Sequence, residues 1–116
     1  MVKRPKDLSS LNLYDWINSK DEDLVIIDVR EQLELEIADF PHEVIHIPMS
    51  EISQEYISSK INLLKGKKVV VLCHMGVRSY NFGAFLLDNN YVDEVWNLKE
   101  GIDGWSRNID SNIPRY

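Results

Sequence analysis

Val69-Val70-Val71-Leu72-Cys73-His74-Met75-Gly76-Val77-Arg78-Ser79 opens as a strand and ends as the start of a helix. Four consecutive apolar residues, three of them β-branched, predict a strand buried on both faces, because a strand with one wet face would alternate with polar residues. The run delivers the only cysteine of the chain, Cys73, to the point where strand gives way to loop. Gly76 admits a positive φ, which lets backbone N–H groups from His74 to Ser79 turn inward around one small acceptor. Arg78 closes the loop as the helix begins. A thiol set among such donors, a helix N-terminus and a guanidinium is favoured as thiolate, so Cys73 reads as a nucleophile. Lone cysteines after apolar runs are often packing residues. Packing alone, however, needs neither Gly76 nor Arg78 nor a loop.

The rest of the composition narrows the function class. A length of 116 residues suits one domain, 1–116, with one real core. Hydrophobic residues at 44% and charged residues at 28% fit a soluble globule. No apolar run approaches the ~20 residues that cross a bilayer, and Val2-Lys3-Arg4-Pro5-Lys6 leads into no signal-type core, so the expected setting is cytoplasmic with no membrane partner. The net charge of −6 argues against a nucleic-acid surface, and the short basic cluster Val2 to Lys6 reads as a solvated tail. One cysteine excludes an internal disulfide and disfavours a thiolate metal site, and nothing in the chain asks for a cofactor.

Strand and helix signals alternate along the chain. Ser9 to Leu13 gives a weak edge-strand signal, with Asn12 as a helix cap, Asp15 three residues on, and Leu13, Trp16 and Ile17 on one apolar face. Leu24 to Val29 is a second buried strand, ending in Asp28 and Arg30. These two are either catalytic, since working residues gather beyond the carboxyl ends of parallel strands, or a structural pair facing a carboxylate such as Glu34. The structural pair is favoured, because a nucleophile that only accepts a group and passes it on requires no second acid or base. Glu31 to Ile37 is a helical turn ended at Phe40-Pro41, and Val44 to Ile47 is a short strand closed by Pro48. Ser50 caps a helix carrying Ile57, Ile61 and Leu64, stopped by Gly66. A helix from Arg78 to Leu87 presents Phe82, Phe85 and Leu86, Asn89 and Asn90 suit a left-handed exit, and Val92 to Leu98 is a fifth strand. Gly101 then reads as a tight turn beside the loop and Trp105 as a core anchor, while the tail through Pro114 carries no identifiable chemistry. Such alternation selects an α/β fold, a mostly parallel sheet with helices on both faces.

Three segments together resemble the rhodanese family. They are Cys73-His74-Met75-Gly76-Val77-Arg78-Ser79, the upstream Asp28-Val29-Arg30-Glu31 to His46-Ile47-Pro48, and Glu100-Gly101-Ile102-Asp103-Gly104-Trp105. The resemblance implies a single open, five-stranded rhodanese-like sheet with the loop at its centre. It also implies a sulfurtransferase that moves sulfur from a donor such as thiosulfate or a persulfide, through a Cys73 persulfide, to a thiol or cyanide. His74 and Arg78 would orient an anionic donor, Arg78 would bond loop carbonyls, and Met75 and Val77 would leave the mouth partly apolar, as suits a thiol or a sulfur-relay protein. Two other readings stay open. Cysteine-dependent phosphatases and arsenate reductases use a similar cradle with five residues between cysteine and arginine, whereas four intervene here. A slow sulfur-relay or redox-sensing module on the same fold would retain the same cysteine.

Overall fold

Burial on both faces is what the central apolar run demands, and the fold supplies it. In the computed structural model, which describes residues 2–116, Val69 and Val71 pack into one core, and Val70 and Leu72 into a second on the opposite face of the sheet. The strands are β1 (Lys6–Leu8), β2 (Leu24–Asp28), β3 (Ile45–His46), β4 (Lys68–Leu72) and β5 (Val95–Leu98). Between and after them come helices α1 (Ser10–Asn18), α2 (Gln32–Ile37), α3 (Gln54–Lys60), α4 (Val77–Asp88) and α5 (Gly101–Asn108). The sheet order is β1-β5-β4-β2-β3 and every pairing is parallel. Ile57 of α3 and Phe82 and Leu86 of α4 cover one face; Leu13 of α1 and Ile102 and Trp105 of α5 cover the other. Because β4 is the middle strand and all strands run the same way, the residue after Leu72 emerges at the centre of the carboxyl edge.

Several boundaries differ from the sequence reading. The first edge strand is Lys6–Leu8, where Ser9 to Leu13 was the expectation, and it joins Trp96 to Leu98 of β5. Only Leu8 of its three residues is buried, so hydrophobic patterning carries almost no trace of it; the backbone pairing alone defines it. Val2 to Lys6 is accordingly no free tail: Pro5 is buried and lies against Gly83 of α4. Ser9, not Asn12, caps α1, its hydroxyl accepting from the Asn12 N–H at 3.1 Å. Likewise Ser53 caps α3, accepting from the Tyr56 N–H at 3.1 Å. Ser50 instead sits in a 3₁₀ turn, Met49–Glu51, with its N–H and hydroxyl given to the Glu31 carboxylate. In both helices a serine with free backbone donors three residues ahead outcompeted the residue picked from sequence.

Asp28 and Arg30 form an ion pair with 0% exposure at the end of β2. Arg30 Nε lies 3.0 Å from Asp28 Oδ1 and Nη2 lies 2.7 Å from Oδ2, while the Arg30 N–H donates to Oδ1 at 3.0 Å. The guanidinium then reaches across to the Ala38 carbonyl at 2.7 Å, fixing the end of α2 to the sheet. His46 adds a ring contact, Nε2 to the Arg30 carbonyl at 2.6 Å. Removing one partner of such a pair leaves a desolvated charge, a loss of about 3–5 kcal/mol. Asp28→Ala should therefore lower the urea-unfolding free energy by about that amount, and Asp28→Ala with Arg30→Met should recover most of it. Equal losses in the single and double variants would show that the pairing does not carry the effect.

Candidate active site

Cys73 follows β4 directly, and its sulfur turns back toward the head of α4. Sγ accepts from the Gly76 N–H at 3.1 Å and from the Ser79 hydroxyl at 3.2 Å. Gly76 is the N-cap of the twelve-residue α4 and has φ +97°, the left-handed conformation the sequence asked for. A side chain there would also collide with the Lys99 carbonyl, so glycine is required twice over. The expected cradle of amides from His74 to Ser79 is narrower than anticipated: among the described residues, the groups that reach Sγ are this one amide and this one hydroxyl. Cys73 itself is 1% exposed.

The Ser79 hydroxyl has one hydrogen and two acceptors. Its oxygen lies 3.2 Å from Sγ and 2.5 Å from Asn97 Oδ1, and Asn97 Nδ2 donates to the Gly76 carbonyl at 3.1 Å. With a thiol at Cys73, S–H can donate to Ser79 while Ser79 donates to Asn97. With a thiolate, the Ser79 hydrogen turns to sulfur. Asn97 was not singled out from sequence, although an amide in a buried strand requires partners and that requirement is a readable signal.

The loop carbonyls are held by α5, which corrects the expectation that Arg78 would hold them. The Ile102 N–H donates to the Cys73 carbonyl at 2.9 Å and the Asp103 N–H to the His74 carbonyl at 3.0 Å. Amides in the first turn of a helix have no intrahelical partners, so they are free for this task. Gly101, at φ +62°, makes the approach possible, since a Cβ would run into the His74 and Cys73 carbonyls. Trp105 is fully buried beneath, as expected of an anchor.

Arg78 points elsewhere. Its two Nη atoms each meet a Glu34 carboxylate oxygen at 2.7 Å, a two-pronged contact that ties α4 to α2. The Glu34 carboxylate thus serves Arg78, and Arg30 takes only the Glu34 carbonyl, at 3.4 Å. Tyr116 joins this group: Arg30 Nη1 donates to its hydroxyl at 3.2 Å, and that hydroxyl donates to Glu34 Oε1 at 3.0 Å. Its ring stacks on His74 with centroids 3.9 Å apart and planes 9° from parallel. The tail therefore takes part in the site, contrary to expectation; Tyr116 lies far from the loop in sequence and no local pattern marks it. Met75 and Val77 face outward, 61% and 69% exposed. Asp28 and Arg30 do not touch Sγ, and they enter the site only through Arg30 and Tyr116. Among the described residues no three His, Cys, Asp or Glu side chains gather as metal ligands.

Hydrogen bonds from Arg78 depress the Glu34 carboxyl from 4.5 to about 2, against the opposing effect of burial. The same carboxylate raises the Arg78 guanidinium further. In the unfolded chain Glu34 takes up its proton near 4.5, in the folded chain near 2, so acidification through that window favours unfolding. Glu34→Gln should flatten the fall in Tm between pH 4.5 and 2 relative to the unaltered chain, read by thermal melts across that range. An unchanged slope would assign the acid sensitivity to other carboxylates.

Comparison with known proteins agrees with this architecture. The family profile described as rhodanese-like domain matches residues 11–108. The chain is 33% identical over 92 residues to a protein named sulfurtransferase from Allochromatium vinosum, covering 74% of this chain and 75% of that protein. It is 33% identical over 113 residues to adenylyltransferase and sulfurtransferase UBA4 of Debaryomyces hansenii, covering 94% of this chain but 25% of that protein. The chain spans between about a quarter and a half of the length of such longer relatives. Among solved structures, a rhodanese-related protein from Thermoplasma volcanium superposes with a TM-score of 0.67 at 28% identity, over 94% of this chain and 95% of that one. With a five-stranded parallel sheet and its single cysteine on the central loop, the chain belongs to the rhodanese-like domain family.

Proposed function

We propose that this chain is a sulfurtransferase, one domain over residues 1–116, that carries a sulfane sulfur on Cys73. The single observation behind this reading is the seat of Cys73 Sγ at the head of α4, with the Gly76 amide and the Ser79 hydroxyl donating to it. Both donors stabilise negative charge on sulfur, and the helix N-terminus adds to them. In the first step the Cys73 thiolate attacks the outer sulfur of thiosulfate. The new S–S bond forms as the old one breaks, and sulfite leaves with the electron pair. In the second step cyanide or a thiolate attacks the terminal sulfur of the persulfide, and the Cys73 thiolate departs as leaving group. No cofactor or metal enters either step, and a cytoplasmic setting would keep a free Cys73 reduced between turnovers.

Two observations weigh on the alternatives. Phosphoryl chemistry would need Arg78 to grip a tetrahedral anion, but both of its Nη atoms are committed to Glu34. A sulfur-relay protein as donor or acceptor is favoured by Met75 and Val77, apolar side chains held out beside the loop. His74, stacked under Tyr116, is poorly placed to orient a donor.

Incubation with thiosulfate should raise the intact mass by one sulfur atom, cyanide should discharge it as thiocyanate, and Cys73→Ala should abolish both. Ser79→Ala, which removes one of two donors to sulfur, should slow turnover about tenfold, and Arg78→Ala should slow it more than Asp28→Ala does. Release of phosphate from an aryl phosphate, lost in Cys73→Ser, would replace this reading with the phosphatase one.

A further inference from the structure

Val95 and Asn97 stand two residues apart on β5 and share one face of the sheet. Val95 packs in the core under α4, and Asn97, 3% exposed, brings an amide into the same row. An amide so deeply placed is costly unless it is hydrogen-bonded. Its Nδ2 donates to the Gly76 carbonyl at 3.1 Å, a group that can only accept, and this fixes Oδ1 as the atom turned to Ser79.

The 2.5 Å between Ser79 Oγ and Asn97 Oδ1 is too short for two oxygens without a hydrogen between them. Asn97 Oδ1 has none to give, so the hydrogen is that of Ser79. Ser79 is 0% exposed, and bulk water offers it no third acceptor. Toward Sγ, 3.2 Å away, the hydroxyl is left with a lone pair, which a thiol S–H satisfies and a thiolate does not. For the thiolate to receive this hydroxyl, the hydrogen must leave Asn97. The Gly76 amide, 3.1 Å from sulfur, is free of that conflict.

We infer that Asn97 is a positioning residue: it holds the Ser79 hydrogen away from sulfur while Cys73 is a thiol, and so sets how readily the thiolate forms. What that thiolate attacks rests on the sulfur-transfer reading; the place of the hydrogen does not. Charged and titratable groups on the elements around Cys73 are bonded elsewhere. Asp28 of β2 pairs with Arg30, Glu34 of α2 with Arg78 of α4, and Asp103 of α5 with Arg107 and Arg115. His46 of β3 meets the Arg30 carbonyl, Tyr56 of α3 donates to the His46 carbonyl, His74 stacks on Tyr116, and Lys99 past β5 is exposed. All are retained in Asn97→Leu, so a difference between that variant and the unaltered chain reports on the amide.

Cys73 is the only cysteine, so alkylation by iodoacetamide reads it alone. The pH–rate profile is compared for the unaltered chain, Asn97→Leu, Ser79→Ala and the double variant. Leucine is close to asparagine in shape, and the Gly76 carbonyl keeps its bond from the Tyr80 N–H at 3.3 Å. Asn97→Leu should lower the alkylation midpoint by about 0.5 to 1 on the pH scale, the worth of one hydrogen bond released to sulfur. It should also lower the rate on the alkaline plateau, since a better-stabilised thiolate is a weaker nucleophile. In the Ser79→Ala background the same substitution should leave the midpoint in place, because there is no hydrogen to release. A rise or no change in Asn97→Leu overturns the proposal, as does an equal fall in both backgrounds, which would mean that Asn97 acts on the shape of the loop and not on Ser79. If Asn97→Leu fails to unfold cooperatively in urea, the infrared S–H stretching band of the unaltered chain decides. At a pH below the midpoint it should lie at lower wavenumber than in Ser79→Ala, as for a thiol donating to the hydroxyl, and an equal or higher band overturns the proposal. If thiosulfate loads no sulfur on the unaltered chain, the sulfur-transfer reading fails while the alkylation cycle still decides the role of Asn97.

Discussion

The first turn of α5 holds the active loop in shape. Strand β4 ends in carbonyls that the sheet can no longer satisfy, and the loop that follows is too short to satisfy them itself. The Ile102 and Asp103 amides, idle by the geometry of any helix start, close on the Cys73 and His74 carbonyls. With its carbonyls drawn toward α5, the loop can present the Gly76 amide to sulfur instead. Gly101 is the hinge of this arrangement, because any side chain would occupy the space those carbonyls fill.

A division of labour follows. Charge is kept away from sulfur as far as the fold allows: Arg30 is neutralised by Asp28, and Arg78 by Glu34. What remains beside Sγ is a neutral amide, a neutral hydroxyl and the partial charge of a helix end. Such a site stabilises a singly charged sulfur without holding a dianion tightly, which suits a group that must be both accepted and released. The two ion pairs serve as framework, one fixing β2 to the end of α2 and the other fixing α2 to α4, and Tyr116 is keyed into both.

Residue patterns near in sequence proved the most legible. Val69 to Leu72 announces a two-faced buried strand because both faces must exclude water, and Gly76 announces a positive φ because few other residues adopt one. Cys73, Arg78 and Ser79 could be named as a loop constellation from their spacing alone. Edge strand β1 could not be placed, since only one of its three residues is buried. Helix caps were misplaced by a few residues where several polar side chains compete for the same free amides.

By itself, the sequence determined the alternation of strands and helices, the place of the cysteine at the end of a buried strand and the need for glycine in the turn that follows, all of which depend on neighbours within a few residues. Only the tertiary structure decided which groups meet across distance. It gave Arg78 to Glu34, gave the loop carbonyls to α5, placed Asn97 behind Ser79 and laid Tyr116 on His74. Those partnerships join residues 18 to 44 positions apart, or bond backbone atoms that every residue shares, so no local pattern encodes them; they arise when the parallel sheet brings its carboxyl ends to one edge.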